Sequence, residues 1–360
     1  KLKSVACVGL SCKSPVVTIV QKGKPDAVYG NVQAHEAKAI LYKHCGPNIL
    51  KKFNFQMSRS VDLLLNDRNW TSIDEKRLQK KGDSSSAFFD PQVRIATEYS
   101  GENDPLNLVE YQEKGGFSAL KKCLTEMEGQ ETIDVIKKSG LRGRGGGGFP
   151  TGTKWGFVHA QDTEEKYAIC NGDEGDPGAF MDRMILESYP FRVIEGLAIS
   201  AVATGAKKAI FYIRAEYPLA VERIEKALVA CREAGIVGQG ILGTDRELEI
   251  TVFRGAGAFI CGEETALIAS IEGGRGTPRT RPPFPAVQGL WKKPTLINNV
   301  ETLANVPWII RNGADAFAQY GTEESKGTKV FALAGKVKRG GLIEVPMGTT
   351  FRQIVNDIGG

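Results

Sequence analysis

From about residue 106 onward, short apolar strands alternate with longer amphipathic helices, and nothing else in the chain restricts its fold as much. Tyr167 to Cys170, Ala209 to Ile213 and Leu248 to Phe253 are apolar runs of strand length. Between the last two, Val221, Ile224, Leu228 and Cys231 recur at helical intervals, and the pattern stops at Gly235. A further helix is expected from about Pro190 to Thr204. Strands and helices alternating at these lengths predict an α/β sheet with covered faces. A chain of 360 residues, 41% apolar and 25% charged, can bury such a core in two or three domains.

Residues 141–154 read Leu-Arg-Gly-Arg-Gly-Gly-Gly-Gly-Phe-Pro-Thr-Gly-Thr-Lys. Gly145 to Gly148 remove the Cβ from four successive residues, so main-chain N–H groups can close on a ligand. Arg142, Arg144 and Lys154 flank the run with positive charge, and Phe149 and Trp155 offer flat apolar faces. Phosphate held by amides and cations, with a ring held by stacking, is the chemistry of a nucleotide site. A flexible linker is the competing reading, but it would carry Ser and polar filler in place of Arg, Phe, Pro and Lys. Gly143, Gly145 and Gly148 do satisfy G-x-G-x-x-G. Upstream, however, Ile133, Val135 and Ile136 predict an amphipathic helix capped at Gly140, not the buried strand of a dinucleotide fingerprint. The run points to a nucleotide-binding loop of another kind.

Three more segments carry candidate chemistry. Asn171-Gly-Asp-Glu-Gly-Asp-Pro-Gly178 sets an amide and three carboxylates at a strand end, where open α/β sheets bind ligands. Asn171 can donate and accept, as a heteroaromatic edge requires, and a carboxylate suits a ribose hydroxyl. An Asx turn or a solvated acidic turn would use the same residues. Gly255-Ala-Gly-Ala-Phe-Ile-Cys-Gly-Glu-Glu-Thr265 opens a helix with Glu263 and Glu264 in its first turn. The helix dipole favours carboxylates there with or without a ligand. Asn298-Asn-Val-Glu-Thr302 is a polar knot that equally suits a capped helix N-terminus. No Ser–His–Asp or Cys–His set accompanies these segments, and His35, His44 and His159 lie away from them. Glycines, ring-edge hydrogen bonders and aromatic lids without a nucleophile fit hydride transfer between cofactors.

Seven cysteines, odd in number and scattered, argue for reduced thiols or metal ligands over a secreted disulfide framework. Cys7 and Cys12 have four residues between them, and Cys231 sits on an apolar helix face. The net charge of +5 reads as spread along the chain, without the basic, aromatic-interleaved tract that nucleic acid would call for. No apolar run reaches the ~18 residues of a membrane span. The first residues lack the apolar stretch of a signal peptide, so the expected location is cytoplasmic or membrane-peripheral, without direct membrane insertion. Residues 1–50 read as a small α/β piece, with a strand over Val16 to Val20 and a helix over His35 to His44. Residues 51–105 read as a polar linker, clearest at Lys80 to Ser86, and Gly273 to Pro294 as an irregular wall rich in Gly, Pro and Arg. The last thirty residues read as a β-rich unit that breaks off in mid-element at Gly360, so the natural polypeptide is expected to continue.

Gly140 to Trp155, Cys170 to Arg183, Gly255 to Leu267, Arg281-Pro-Pro-Phe-Pro285 and Asn298 to Leu303 together resemble the NADH-binding flavoprotein subunit of respiratory complex I. The chain is still more similar to the diaphorase subunits of soluble NAD-linked hydrogenases, formate dehydrogenases and flavin-based bifurcating complexes. Glu174-Gly-Asp-Pro-Gly178 resembles that soluble branch; the respiratory branch has Glu-Ser-Glu-Pro-Gly. The resemblance spans about residues 105–360 and implies a Rossmann-like FMN- and NADH-binding domain over 106–328. It further implies the start of a ubiquitin-like β-grasp domain over 329–360. The head, Cys7-Val-Gly-Leu-Ser-Cys12 with Val28-Tyr-Gly-Asn-Val32 behind it, resembles the second half of a thioredoxin-like [2Fe–2S] ferredoxin module over 1–50, with a linker over 51–105. Such modules usually separate these cysteines by three residues and add a first pair, which is missing here. Cys7 and Cys12 are therefore an incomplete metal set. The family's C-x-x-C-x-x-C [4Fe–4S] motif would lie beyond residue 360.

By the same resemblance, FMN phosphate and ribityl contacts fall to Gly143, Arg144, Gly145, Gly146, Gly148, Lys154, Asn298, Asn299 and Thr302. The isoalloxazine edge would meet Asn171, Asp173, Gly262 and Glu263, with Glu174 near it. Adenine would sit between Phe149 and Phe284, and Phe157 also belongs to the implied cofactor set. Lys154, Asp176 and Glu264 would contact the dinucleotide, and Phe259 stands where the family has Tyr. No side chain is implied as a covalent catalyst. The implied protein is an NAD(P)H dehydrogenase or diaphorase subunit that moves hydride between nicotinamide and FMN and single electrons between FMN and iron–sulfur clusters. Its implied partners are a thioredoxin-like [2Fe–2S] subunit and a catalytic iron–sulfur subunit. A complex I subunit and a cofactor-free structural subunit are the alternatives, and NAD against NADP stays open.

Overall fold

A computed structural model describes residues 2–24, 26–45, 76–78 and 86–360. Most of the expected linker, including Lys80 to Ser85, lies outside the described residues. Among the described residues, β1 (Val17–Ile19), β2 (Ala27–Tyr29) and β3 (Arg77–Leu78) form a small antiparallel sheet. The central sheet holds β4 (Tyr167–Gly172), β5 (Lys208–Arg214), β6 (Gly238–Gln239), β7 (Glu247–Gly255) and β8 (Thr295–Asn299). An antiparallel pair, β9 (Thr328–Leu333) and β10 (Gly341–Pro346), follows.

The central strands run in the order β6-β7-β5-β4-β8, parallel except for the short edge strand β6. From β4 the chain winds outward through β5 to β7, then returns to add β8 on the other side of β4. The winding direction therefore reverses between β4 and β8, and a crevice opens at their C-terminal ends. Side chains alternate across the sheet as the two-residue strand period requires. Ala168, Cys170, Ala209, Phe211 and Ile213 enter the larger core, while Tyr167, Ile169, Ile210 and Tyr212 enter a smaller one on the opposite face.

The helix expected over Pro190 to Thr204 occupies those residues, and every one of them is buried. Proline at its first turn and Gly205 at φ 81° mark its two ends. Glu195 tolerates this burial because it accepts from the Tyr111 hydroxyl at 2.6 Å and the Leu120 N–H at 3.2 Å. Upstream of the glycine run, the amphipathic helix is Gly129–Lys138, and Gly140 takes φ 68° beyond it.

One reading changes on folding, and another on a closer count of charge. The wall from Gly273 is irregular only as far as Phe284, after which Pro285–Gln288 and Leu290–Lys292 form short helical turns. Charge is not evenly spread either: residues 1–45 carry seven lysines against two carboxylates, Asp26 and Glu36. Leu10 and Phe88 share one core with Leu333, Ile343, Val345, Ile354 and Ile358, so the β9–β10 unit packs on the N-terminal segment. Cys123, Cys170, Cys231 and Cys261 are buried free thiols, Cys7 is half-buried, and Cys12 and Cys45 are exposed. Among the described residues no helix is long and apolar enough to cross a membrane.

Candidate cofactor site

The glycine run forms a closed loop between two helices. Gly143 N–H donates to the Phe149 carbonyl, and Thr151 N–H to that of Leu141, both at 2.9 Å. These bonds pinch the base, leaving Gly146 and Gly147 at the tip, where an added Cβ would meet nothing within 4 Å. Gly145 backs onto the end of β8, where its Cβ would stand 3.1 Å from that of Asn299. Behind the loop, Lys154 Nζ lies 3.0 Å from Glu264 and donates to the Ile297 carbonyl at 3.1 Å. Glu264 also pairs with Arg281 at 2.6 Å, and that guanidinium lies over the Phe284 ring.

Across the crevice, Asn171 at the end of β4 donates to the Gly262 carbonyl and accepts from Asp173 N–H, both at 3.0 Å. The loops after β4 and β7 are thereby tied together. Asp173 is the outlier among the carboxylates here. Its side chain is 1% exposed, and among the described residues neither of its oxygens has a hydrogen-bond partner. Arg214 Nε forms a long ion pair with it at 3.9 Å, and that nitrogen too has no hydrogen bond among the described residues. Burial pushes the Asp173 carboxyl up to about 6, with Arg214 opposing and Glu216 reinforcing the shift. A buried acceptor without a donor is costly, and such groups mark sites where a ligand supplies the missing bond.

Residues 136–308 match the model of the Nuo51 FMN-binding domain. They belong to that family. The chain is 55% identical over 269 residues to the NADP-reducing hydrogenase subunit HndC of Solidesulfovibrio fructosivorans, covering 75% of this chain and 54% of the relative. It is 50% identical over 250 residues to an NADH-quinone oxidoreductase subunit of Rhizobium meliloti (strain 1021), covering 69% and 59%. A crystal structure of an NAD⁺-reducing [NiFe]-hydrogenase in the H₂-reduced state superposes with a TM-score of 0.64 at 32% identity, over 98% of this chain and 53% of that one. The chain spans little more than half the length of the relatives it matches.

Within the FMN-binding domain, several residues named from the sequence hold the scaffold. Glu174 accepts from the N–H groups of Asp182 and Arg183, at 3.2 and 3.1 Å, and so caps the helix Met181–Ser188. Glu263 caps Glu264–Ile271 through Thr265 and Ala266 N–H, at 2.9 and 3.0 Å. Asn299 caps Val300–Asn312 through Glu301 and Thr302 N–H, and its own amide donates to Asp182 at 2.6 Å. Asp182 is wholly buried; that burial, with Glu174 and Glu301 nearby, drives its carboxyl far above the usual range. Trp155 offers no ring face to a ligand: it is fully buried, and its indole N–H holds Asn298 at 2.8 Å. Arg144 also turns inward, and only 4% of it is exposed.

The rim is aromatic and acidic. Phe149, Phe157, Phe259 and Phe284 are about half exposed or more, with the Phe149 and Phe157 ring centroids 6.4 Å apart. Asp176 is exposed in the loop that follows β4. Cys7 and Cys12 lie on the segment that bonds to β10 and its approach, through Leu342 N–H to the Gly9 carbonyl and Cys12 N–H to that of Gly340. Sequence reasoning missed Arg214 and Asp182. A charged residue closing the buried apolar run of β5 is the signal that could have located Arg214, since β5 lies beside β4 with Ile213 level with Gly172.

Proposed function

We propose that this chain is the flavoprotein subunit of a multisubunit iron–sulfur oxidoreductase that oxidises NAD(P)H or reduces NAD(P)⁺ through FMN. The Asp173 carboxylate carries the reading: it is buried, has no hydrogen-bond partner among the described residues, meets Arg214 only at 3.9 Å, and lies at the strand-end crevice. It offers an acceptor to a ring N–H, while the side-chain-free tip at Gly146 and Gly147 leaves room for an anion to reach main-chain amides. Bound there, FMN would supply an acceptor that takes hydride as an electron pair and gives electrons up singly.

The protein's contribution is binding, orientation and the exclusion of water. Amides of Gly143 to Gly148, with Lys154 behind them, would neutralise the phosphate, and Asn298, Asn299 and Thr302 would line the ribityl side. Asn171, Gly262 and Glu263 would border the ring edge with Asp173, and Glu174 would support that loop. Phe149 and Phe284, with Phe157 beside them, would hold adenine, and Phe259 would close the rim. Asp176 and Glu264 would meet the dinucleotide. Holding reactants near contact removes the entropy cost of encounter, and no side chain need act as a nucleophile.

The higher identity to a hydrogenase component than to a quinone-linked one favours a soluble, cytoplasmic assembly. In this reading residues 1–50 form part of a thioredoxin-like module with Cys7 and Cys12 as partial [2Fe–2S] ligands, and 51–105 form a linker. Residues 106–328 are the cofactor domain, and 329–360 begin a β-grasp domain. The partners are a thioredoxin-like [2Fe–2S] subunit and a catalytic iron–sulfur subunit. The deciding experiment is NADH-dependent ferricyanide reduction by the FMN-reconstituted chain, expected to be absent without FMN. Reconstituted protein with no activity on either NADH or NADPH would refute the assignment.

A further inference from the structure

Arg144 sits in the middle of the glycine loop, yet its guanidinium faces the protein interior. Its Nε donates to the Thr328 carbonyl at 2.9 Å, and its two terminal nitrogens donate to those of Arg142 and Lys326, each at 2.8 Å. Its main-chain N–H donates to the Thr302 hydroxyl at 2.8 Å. Two of those carbonyls, Thr328 and Lys326, lie at the first residue of β9 and just before it, outside the strand-end crevice. A guanidinium placed to grip an anion presents its planar fork to it; this one commits all three nitrogens to carbonyls. Burial disfavours the cation, and the charges of Glu301 and Glu344 oppose that in part.

The connection continues into β10. The Thr328 hydroxyl donates to Glu344 at 2.5 Å, and Glu344, 1% exposed, also accepts from the N–H groups of Ile95, Ala96 and Thr97, each at 2.9 Å. A second strut runs beside it. Lys329 forms an ion pair with Glu301, which accepts from Val330 N–H at 2.7 Å and begins the helix turn that carries Thr302.

We propose that Arg144 is a positioning residue that ties the glycine loop to the start of β9, so that phosphate affinity at the loop depends on the β9–β10 unit. The inference rests on the FMN reading above. Loop amides can close on phosphate only while the loop base is held, and Arg144 and Thr302 hold it from β9 and from the helix after β8. By linkage, a phosphate bound at the loop must in turn steady the start of β9.

The test uses the full chain with FMN and with riboflavin, which lacks the phosphate. In wild type, FMN should slow amide hydrogen exchange over residues 326–330 as well as over 143–148. Arg144→Gln should weaken FMN at least tenfold and leave riboflavin affinity unchanged, whereas general loosening of the fold would weaken both. Glu344→Gln, on β10, should weaken FMN several-fold with riboflavin again unchanged. Direct phosphate contact by Arg144 predicts no effect of Glu344→Gln and no slowing at 326–330, and either result overturns the proposal. Should Arg144→Gln fail to fold, exchange in wild type and Glu344→Gln still decide the matter. Wild type that binds riboflavin and FMN equally contradicts the proposal while leaving a flavin site in place; wild type that binds neither refutes the FMN reading as well.

Discussion

Replacing Asp173 with Asn should make the ligand-free protein more stable and its flavin binding worse. In the folded chain the carboxyl titrates at about 6, against an ordinary value of 3.8. A difference of about two units corresponds to roughly 3 kcal/mol of preference for the protonated form. Because the folded pKa is raised, the ionised side chain costs stability above pH 6. That cost shrinks as pH falls from 6 towards 3.8 and is absent below. Asn is neutral throughout, so Asp173→Asn should stabilise the ligand-free protein at pH 8. The expected gain is about 1–3 kcal/mol, the lower figure allowing for an amide that must itself find partners. Urea titration is the assay: the midpoint should rise at pH 8 with an unchanged slope, and the gain should be largely lost at pH 4.5. A variant no more stable than wild type at pH 8, or equally stabilised at both values, would refute the reasoning.

Two other substitutions separate binding from folding. At Gly147 an added Cβ meets nothing within 4 Å and the backbone is not left-handed, so Gly147→Ala should change stability by no more than about 0.5 kcal/mol. Its methyl would stand at the loop tip, and FMN affinity, read by flavin fluorescence, should fall at least ~10-fold; equal binding would place the phosphate elsewhere. Lys154→Ala removes the cation that pairs with Glu264 and should lower kcat/KM for NADH about 10- to 100-fold, the scale of one charged hydrogen bond. Unchanged steady-state kinetics would detach Lys154 from the site.

The strands and the glycine loop were readable because local chemistry determines them. Apolar runs of strand length, glycines at Gly140, Gly205 and Gly235, and a proline at Pro190 mark element ends wherever they occur. Direction of side chains was not readable. Glu174 and Asn299, at or just past strand ends, and Glu263, after a short helical turn, are acceptors by residue type, and the fold turns each towards the N-terminus of the helix that follows it. For Glu263 and Asn299 the sequence left capping open, and the structure settles that their side chains serve as caps. Arg144 and Trp155 illustrate the same limit: a cation and a ring beside glycines look ligand-facing until tertiary packing supplies carbonyls and an amide on the other side. Arg214 reaches Asp173 only through the parallel pairing of β4 with β5, a contact with no local signature.

The glycine loop and the buried Asp173 carboxylate are read as two ends of one pocket, and titration of the purified chain with FMN probes that pocket without intermediaries. One FMN per chain is expected, absorbing near 450 nm in its oxidised form and bleached by NADH or NADPH. Flavin that stays free in solution, or binds without regard to the loop and Asp173 substitutions, would contradict it.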